Sequence, residues 1–271
     1  MRVASKVIVL VRDPDGFGIA LADALRPAPE SHLTRFDPYI SRNPTSLLPF
    51  ALDRSTSHLL DPSRESSPFE ISLAKYGITD TSASGDLIHF VDPRGSPQVS
   101  ILVLPNYAPP VAACAINEIV GSITWANFSH LPVLILPLIT KTLNADHEVA
   151  HRAKSAEAIT IYGAQIGDAN NSADTLVSGL AVPPPSFQIR SEPLACLVQV
   201  VRVSKLPTVL LMAPSSEQQS KGSADRELEA LYEIGNFLAS RANLSFSKES
   251  IQDRKLEKSR GAQEPWRELY G

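Results

Sequence analysis

Apolar residues along this chain fall into short blocks divided by proline, glycine and charge. Lys6 to Val11 reads as a buried strand, its apolar run Val7 to Val11 closed by Arg12 and Asp13. A turn at Pro14, Gly16 and Gly18 follows, and Ile19 to Leu25 has helical spacing. Phe69 to Leu73 alternates like an edge strand. Asp86–Val91 and Val99–Leu104 read as two strands joined by a turn at Pro93, Gly95 and Pro97.

Beyond Pro109-Pro110, the face Val111, Ala115, Ile119 and Ile123 predicts a helix reaching about Asn127. Leu131-Pro132 leads into Val133 to Ile139, an aliphatic run suited to a central strand. Ala156 to Ile166 is a further strand candidate, and Gly167 to Phe187, with three successive prolines, reads as a loop. Ser191 is a credible N-cap and Pro193 an early-turn residue for a helix carrying Leu194, Leu197, Val198 and Val201 and ending near Lys205. Thr208 to Met212 is then a strand that Pro214 should break. Leu228, Leu231, Ile234 and Leu238 give the last helix, Asp225 to Arg241, its inner face.

Strands alternating with helices argue for a mainly parallel α/β sandwich with right-handed crossovers. The expected organisation is one domain over residues 1–244. Arg26 to Pro68, rich in Pro, Ser, Arg and Asp, forms a long irregular excursion within it. A charged, flexible tail occupies residues 245–271.

Composition narrows the function. With 271 residues and 43% hydrophobic content the chain can bury a sizeable core. A net charge of -4 and the lack of a Lys/Arg run exclude an electrostatic footprint for nucleic acid or an anionic membrane. The Val7–Val11 run is too short for a signal peptide, and Leu131–Ile139, which contains two prolines, is far too short to span a bilayer. Cys114 and Cys196 lie far apart inside apolar segments, as small buried hydrophobes of a reducing compartment do. The expected location is the cytoplasm, with the nucleus as a second compartment.

Two stretches carry the elements of known chemistry. His147-Glu148-Val149-Ala150-His151 has the spacing of a zinc-hydrolase helix, in which two histidines one turn apart hold the metal and the glutamate is the base. Arg152 sits beside the second histidine, and only Val149 and Ala150 could wall off the site, so a surface segment is the expectation. The first strand–turn–helix has the order of a phosphate cradle. Leu21 stands where its third glycine would be, however, and Asp13 and Asp15 would repel a phosphate. No Gly-x-Ser-x-Gly elbow is present, His32, His58, His89 and His130 are scattered singly, and no cofactor is expected.

The last three residues, Leu269, Tyr270 and Gly271, offer an aliphatic group, a phenol ring and a main-chain carboxylate together. Such an end can plug a narrow pocket, the carboxylate taking a charge-assisted bond and the side chains filling apolar space. Burying Leu269 offers about 1.5–3 kcal/mol, so one tail binds weakly and needs a docked body to raise its effective concentration. A tether of this length has a coil reach of roughly 25–30 Å.

Taken in order, Phe69 to Tyr76, Glu192 to Ala213 with its Lys205-Leu206-Pro207 link, Glu229 to Leu238, and Leu269-Tyr270-Gly271 resemble the proteasome assembly chaperone 1 family. The resemblance implies an α/β sandwich related in fold to nucleoside phosphorylases but without their catalysis. It implies a heterodimer with proteasome assembly chaperone 2 that holds the α subunits of the core proteasome in their ring. Family members end in a hydrophobic-tyrosine-any tripeptide, which Leu269, Tyr270 and Gly271 match, and which implies docking in a pocket between α subunits.

Overall fold

The computed structural model describes residues 1–13, 16–36, 67–126, 130–141, 159–168, 170–185, 187, 189, 191–215 and 223–252. Ten strands and five α-helices lie within them. They are β1 (Lys6–Val11), α1 (Phe17–Ala24), β2 (Leu25–Pro27), β3 (Thr34–Phe36), β4 (Ser67–Ser72), β5 (Ser82–Val91) and β6 (Pro97–Leu104). There follow α2 (Val111–Ala126), β7 (Val133–Lys141), β8 (Tyr162–Ile166), α3 (Asn171–Val177), α4 (Glu192–Val203), β9 (Thr208–Ser215), α5 (Ser223–Ala242) and β10 (Leu244–Phe246).

The main sheet has the order β3-β5-β6-β1-β7-β9-β8, with β4 also paired to β5. Its centre, β6-β1-β7-β9, is parallel, and β5 and β8 close it with antiparallel pairs on the two sides. The α/β class and the mainly parallel sheet read from the sequence are thus present.

Continuous aliphatic runs place β1 and β7 at the centre, because both faces of each strand are covered. Ile8, Leu10 and Ile135 face a core shared with α1, α3 and α5, while Val7, Val9, Leu134 and Leu136 face one shared with α2 and α4. On α5 the inner face is Leu231, Ile234 and Leu238. Gly18 lets α1 approach β1: a Cβ there would stand 2.1 Å from the Val11 carbonyl oxygen.

Two expectations need correction, and two boundaries gain detail. The stretch expected to be a loop after Gly167 contains α3, whose N-cap Asn170 accepts from the Ser172 N–H at 2.8 Å. Pro214 does not break β9, which runs to Ser215 with Thr140 opposite Pro214. At that point β8 has already ended, at Tyr162 opposite Met212, so among the described residues no strand pairs with that side, and a residue without an N–H is tolerated there. The excursion after Arg26 begins and ends in pairing, β2 with β10 and both β3 and β4 with β5. Finally, the folded body reaches Gln252, past Ser245, since β10 pairs with β2 and Ile251 is buried. Residues 253–271 and 37–66 lie outside the described residues.

Candidate functional site

Two neighbouring strands send the chain to opposite faces of the sheet. After β1 it enters α1 on one face, and after β6 it enters α2 on the other. The crevice at the carboxyl ends of such strands is where open α/β sheets hold ligands.

At this crevice the ladder between β1 and β7 is short. Lys6, Val7 and Ile8 pair with Val133, Leu134 and Ile135, and the ladder stops there. The Val133 N–H donates to the Ser5 carbonyl at 2.8 Å. Stepping by two along the parallel ladder brings the next donors to residues 135 and 137, the second of them opposite the Val9 carbonyl. Residue 137 is proline and has no N–H to give. β7 continues along β9 as far as Lys141, while its hydrogen-bonded ladder with β1 ends at Ile8 and Ile135.

Between them lies a cavity of about 170 Å³. Its walls are Leu10, Phe17, Leu138, Ile139, Leu194 and Ile234, contributed by β1, α1, β7, α4 and α5. Asp13, Ser191 and Glu227 are the polar residues of its lining, and no Lys, Arg or His is among the described residues that line it. A second, more open depression of about 400 Å³ shares Val11, Asp13 and Ser191 and extends to Asn106, Tyr107 and Pro193. Tyr107 fixes the loop after β6: its hydroxyl donates to the Ser84 carbonyl and accepts from the Ser84 N–H at 2.7 Å. Burial pushes the Tyr107 phenol up, against the pull of its Ser84 bonds and of the Arg12 charge.

The start of α1 has the geometry of an anion site and is already filled. Gly16 adopts φ 78° at the N-cap, and the Asp13 carboxylate accepts from the N–H groups of Phe17 and Gly18, both at 3.0 Å. That carboxylate satisfies the N–H groups and the positive helix end that would attract a phosphate. Gly16 and Gly18 therefore serve a cap and a close helix–strand packing, and Leu21 is a buried wall of the cavity.

The remaining candidates are dispersed. His147, Glu148 and His151 lie outside the described residues, as do Leu269, Tyr270 and Gly271. Among the described residues no group of His, Cys, Asp and Glu could hold a metal ion. Cys114 and Cys196 are free thiols, half-buried on α2 and α4. Burial, the neighbouring Cys114 and Glu192 push the Cys196 thiol up, away from a nucleophile's range. His89 is buried, its Nδ1 2.9 Å from Ser100 Oγ, which accepts the Ala4 N–H at 2.8 Å; it joins β5, β6 and the N-terminal arm. No helix among the described residues is long and apolar enough to cross a membrane. Sequence reasoning missed the cavity, although Pro137 inside an otherwise aliphatic strand was its visible signal.

The sequence model of the domain of unknown function DUF7894 matches residues 1–41 and 48–271. The chain belongs to that family. No curated protein matches the chain. Solved structures similar to this DUF7894 member include a protein of unknown function from Corynebacterium glutamicum, at 11% identity and TM-score 0.49, covering 98% of this chain and 85% of the other. A proteasome-assembly chaperone homologue from Mycobacterium tuberculosis is similar at 12% identity and TM-score 0.45, covering 97% and 96%. An archaeal homologue of proteasome-assembly chaperone from Pyrococcus furiosus is similar at 12% identity and TM-score 0.46, covering 98% and 92%.

Proposed function

We propose that this chain is an assembly chaperone of the core proteasome that works by binding, as a heterodimer with a second chaperone, proteasome assembly chaperone 2. Its anchor on the ring of α subunits is Leu269-Tyr270-Gly271, seated in a pocket between neighbouring subunits. The observation that carries this reading is the hydrophobic-tyrosine-any order at residues 269–271 behind a charged segment, in a chain whose earlier blocks follow the order of that family. The self-filled start of α1 supports binding over phosphate chemistry, because Asp13 occupies the place a phosphate would take.

A pull-down of α subunits and the second chaperone, with the full chain and with a variant lacking Leu269–Gly271, tests the proposal. The expected result is that the shortened chain keeps the partner chaperone and loses most of the α subunits. Equal capture of α subunits by both forms removes the tripeptide from the mechanism. Capture of neither partner by the full chain rejects the reading. In that case stoichiometric zinc in the purified protein, lost in His151→Ala, would support the hydrolase alternative on His147, Glu148 and His151.

A further inference from the structure

The fold brings together two thiols that lie some eighty residues apart in the chain. Cys114 and Cys196 are the two cysteines of the sequence, and both are free. Each stands on a crossover helix, and both helices cover the same face of the sheet. α2 returns the chain to the start of β7, and α4 returns it to the start of β9, which is parallel to β7. The two helices therefore run in the same direction, and they pack against each other. Their starts adjoin, since Ala108 and Pro109 before α2 and Ser191 to Pro193 at α4 line one depression. Cys114 is the fourth residue of α2 and Cys196 the fifth of α4, so at a rise of about 1.5 Å per residue they stand at nearly the same height.

The sides on which they stand agree as well. Helical spacing puts Cys114 off the row Ile116, Ile119 and Ile123 that α2 turns to the sheet, yet it is half-buried against the core cluster that α4 shares. Cys196 lies beside the buried row Pro193, Leu197 and Val201 of α4 and is half-buried against the same cluster. One heptad further along each helix the surface is open: Gly121 has nothing within 4 Å of a Cβ position, and Val203 is 84% exposed. Small reagents thus have a way in along the seam. Helices packed at roughly 8–10 Å bring facing Cα atoms to about 3.5–5.5 Å, which overlaps the span of about 4.4–6.8 Å that a disulfide bridges. The two sulfurs also influence each other, since Cys114 follows burial, and precedes Glu192, among the causes that push the Cys196 thiol up.

We propose that Cys114 and Cys196 are an oxidisable dithiol that closes into an intramolecular disulfide, cross-linking α2 to α4, by exchange with a small disulfide such as glutathione disulfide. The resting Cys196 thiol is held protonated, which leaves the first step to Cys114. The Cys114 thiolate attacks one sulfur of glutathione disulfide, forming a mixed disulfide and releasing one glutathione thiolate. Capped in this way, Cys114 no longer opposes ionisation of its neighbour. The Cys196 thiolate then attacks the Cys114 sulfur and expels the second glutathione thiolate. Each released thiolate takes up the proton that a cysteine gave up, so two cysteine thiols are oxidised and one glutathione disulfide is reduced to two glutathiones. In a reducing compartment such a bond is transient, made under oxidant load and undone by glutathione. The inference rests on the two helices and stands whether or not the chain binds the proteasome.

The test exposes the reduced full chain, under native conditions, to glutathione disulfide, followed by acid quench, alkylation, intact mass and peptide mapping without reductant. The expected product is a monomer lighter by two hydrogens, in which digestion finds the Cys114 and Cys196 peptides joined. Because the bond closes a loop of about 80 residues, the thermal midpoint should rise by several degrees and fall back on adding dithiothreitol. Cys196→Ser is expected to stop at a glutathione adduct on Cys114, at least about tenfold more abundant than in the parent chain, where intramolecular attack removes it. If that variant does not fold, the peptide map of the unaltered chain decides alone. Stable adducts on both thiols, disulfides between chains, thiols that stay reduced, or closure seen only in urea would each overturn the proposal.

Discussion

Pro137 stands at the register position from which a main-chain N–H would reach the Val9 carbonyl. The missing donor ends the β1–β7 ladder after three pairs, and the cavity opens beyond it. Pro137→Ala should restore the donor. One net hydrogen bond adds about 0.5–1.5 kcal/mol, and the more flexible unfolded chain offsets about 0.4–1 kcal/mol of it. The expected change in global stability is therefore small, while the cavity narrows. In that variant the new amide at position 137 and the amide of Val11 should be strongly protected from hydrogen exchange. If the new amide exchanges as a loop amide does, the ladder ends for another reason.

Asp13 is the acceptor for two main-chain donors at the start of α1. Asp13→Ala should destabilise the fold by about 1 kcal/mol, with a range of roughly 0.5–2 kcal/mol, through loss of the cap. The same change exposes the helix start to solvent anions. Thermal unfolding of the variant should therefore shift upward in phosphate relative to chloride at equal ionic strength, while the parent chain responds little. A variant indifferent to phosphate would mean that the carboxylate caps the helix without mimicking an anion.

Two glycines separate packing from propensity. Gly18→Ala drives a Cβ to within 2.1 Å of the Val11 carbonyl oxygen, in backbone that cannot yield cheaply, and should lower stability by about 3 kcal/mol or more. Gly121, within α2, has nothing within 4 Å of the position a Cβ would take, so Gly121→Ala should raise stability by about 0.5–1 kcal/mol. Urea denaturation of both variants checks the contrast in sign.

The surface joining the turn after β4 to α2 should respond to acid. Tyr76 donates to Glu118 at 2.8 Å and accepts from Asn117 at 2.6 Å, and Lys75 pairs with Glu118. Burial alone would push the Glu118 carboxyl up, but the bonds from Lys75 and Tyr76 and the Lys75 charge outweigh it and hold the carboxyl below its ordinary range. A group with a depressed folded-state pKa stabilises the fold above its unfolded pKa, and that contribution disappears as pH falls through the folded value. Glu118→Gln should thus lower the urea midpoint at neutral pH and match the parent chain once the carboxyl protonates. A difference that persists unchanged at about pH 3 would assign the effect to packing.

Most elements with a strong local pattern were legible in the sequence. β1 and the register-bearing aliphatic run of β7 are continuous apolar blocks, and α2, α4 and α5 carry a clear inner face. What escaped has no local signature. β2 and β10 are three residues each and exist through pairing with one another across the chain. The short α3 has only the Asn170 cap as a local signal, in a segment that continues into three prolines after Val182. The cavity depends on Pro137 meeting Val9 in a ladder between strands far apart in the chain, and such a meeting is a tertiary fact. The tripeptide at residues 269–271 is a reading of residue order alone and lies outside the described residues.

The pairing of β10 with β2 also has a mechanical meaning. Leu244, Ser245 and Phe246 lie antiparallel to Pro27, Arg26 and Leu25, and the Ser247 N–H bonds the Ala24 carbonyl at 2.9 Å. Ile251 then sits in the core beside them. Tension applied to residues beyond Gln252 is thus met by a clasp of main-chain bonds and one buried aliphatic anchor before it reaches α5. The load passes into β2 and so along α1, whose far end is held by Asp13 at the mouth of the cavity. Part of a pull on the segment after Gln252 is in this way carried by α1 to the carboxyl end of the central strand.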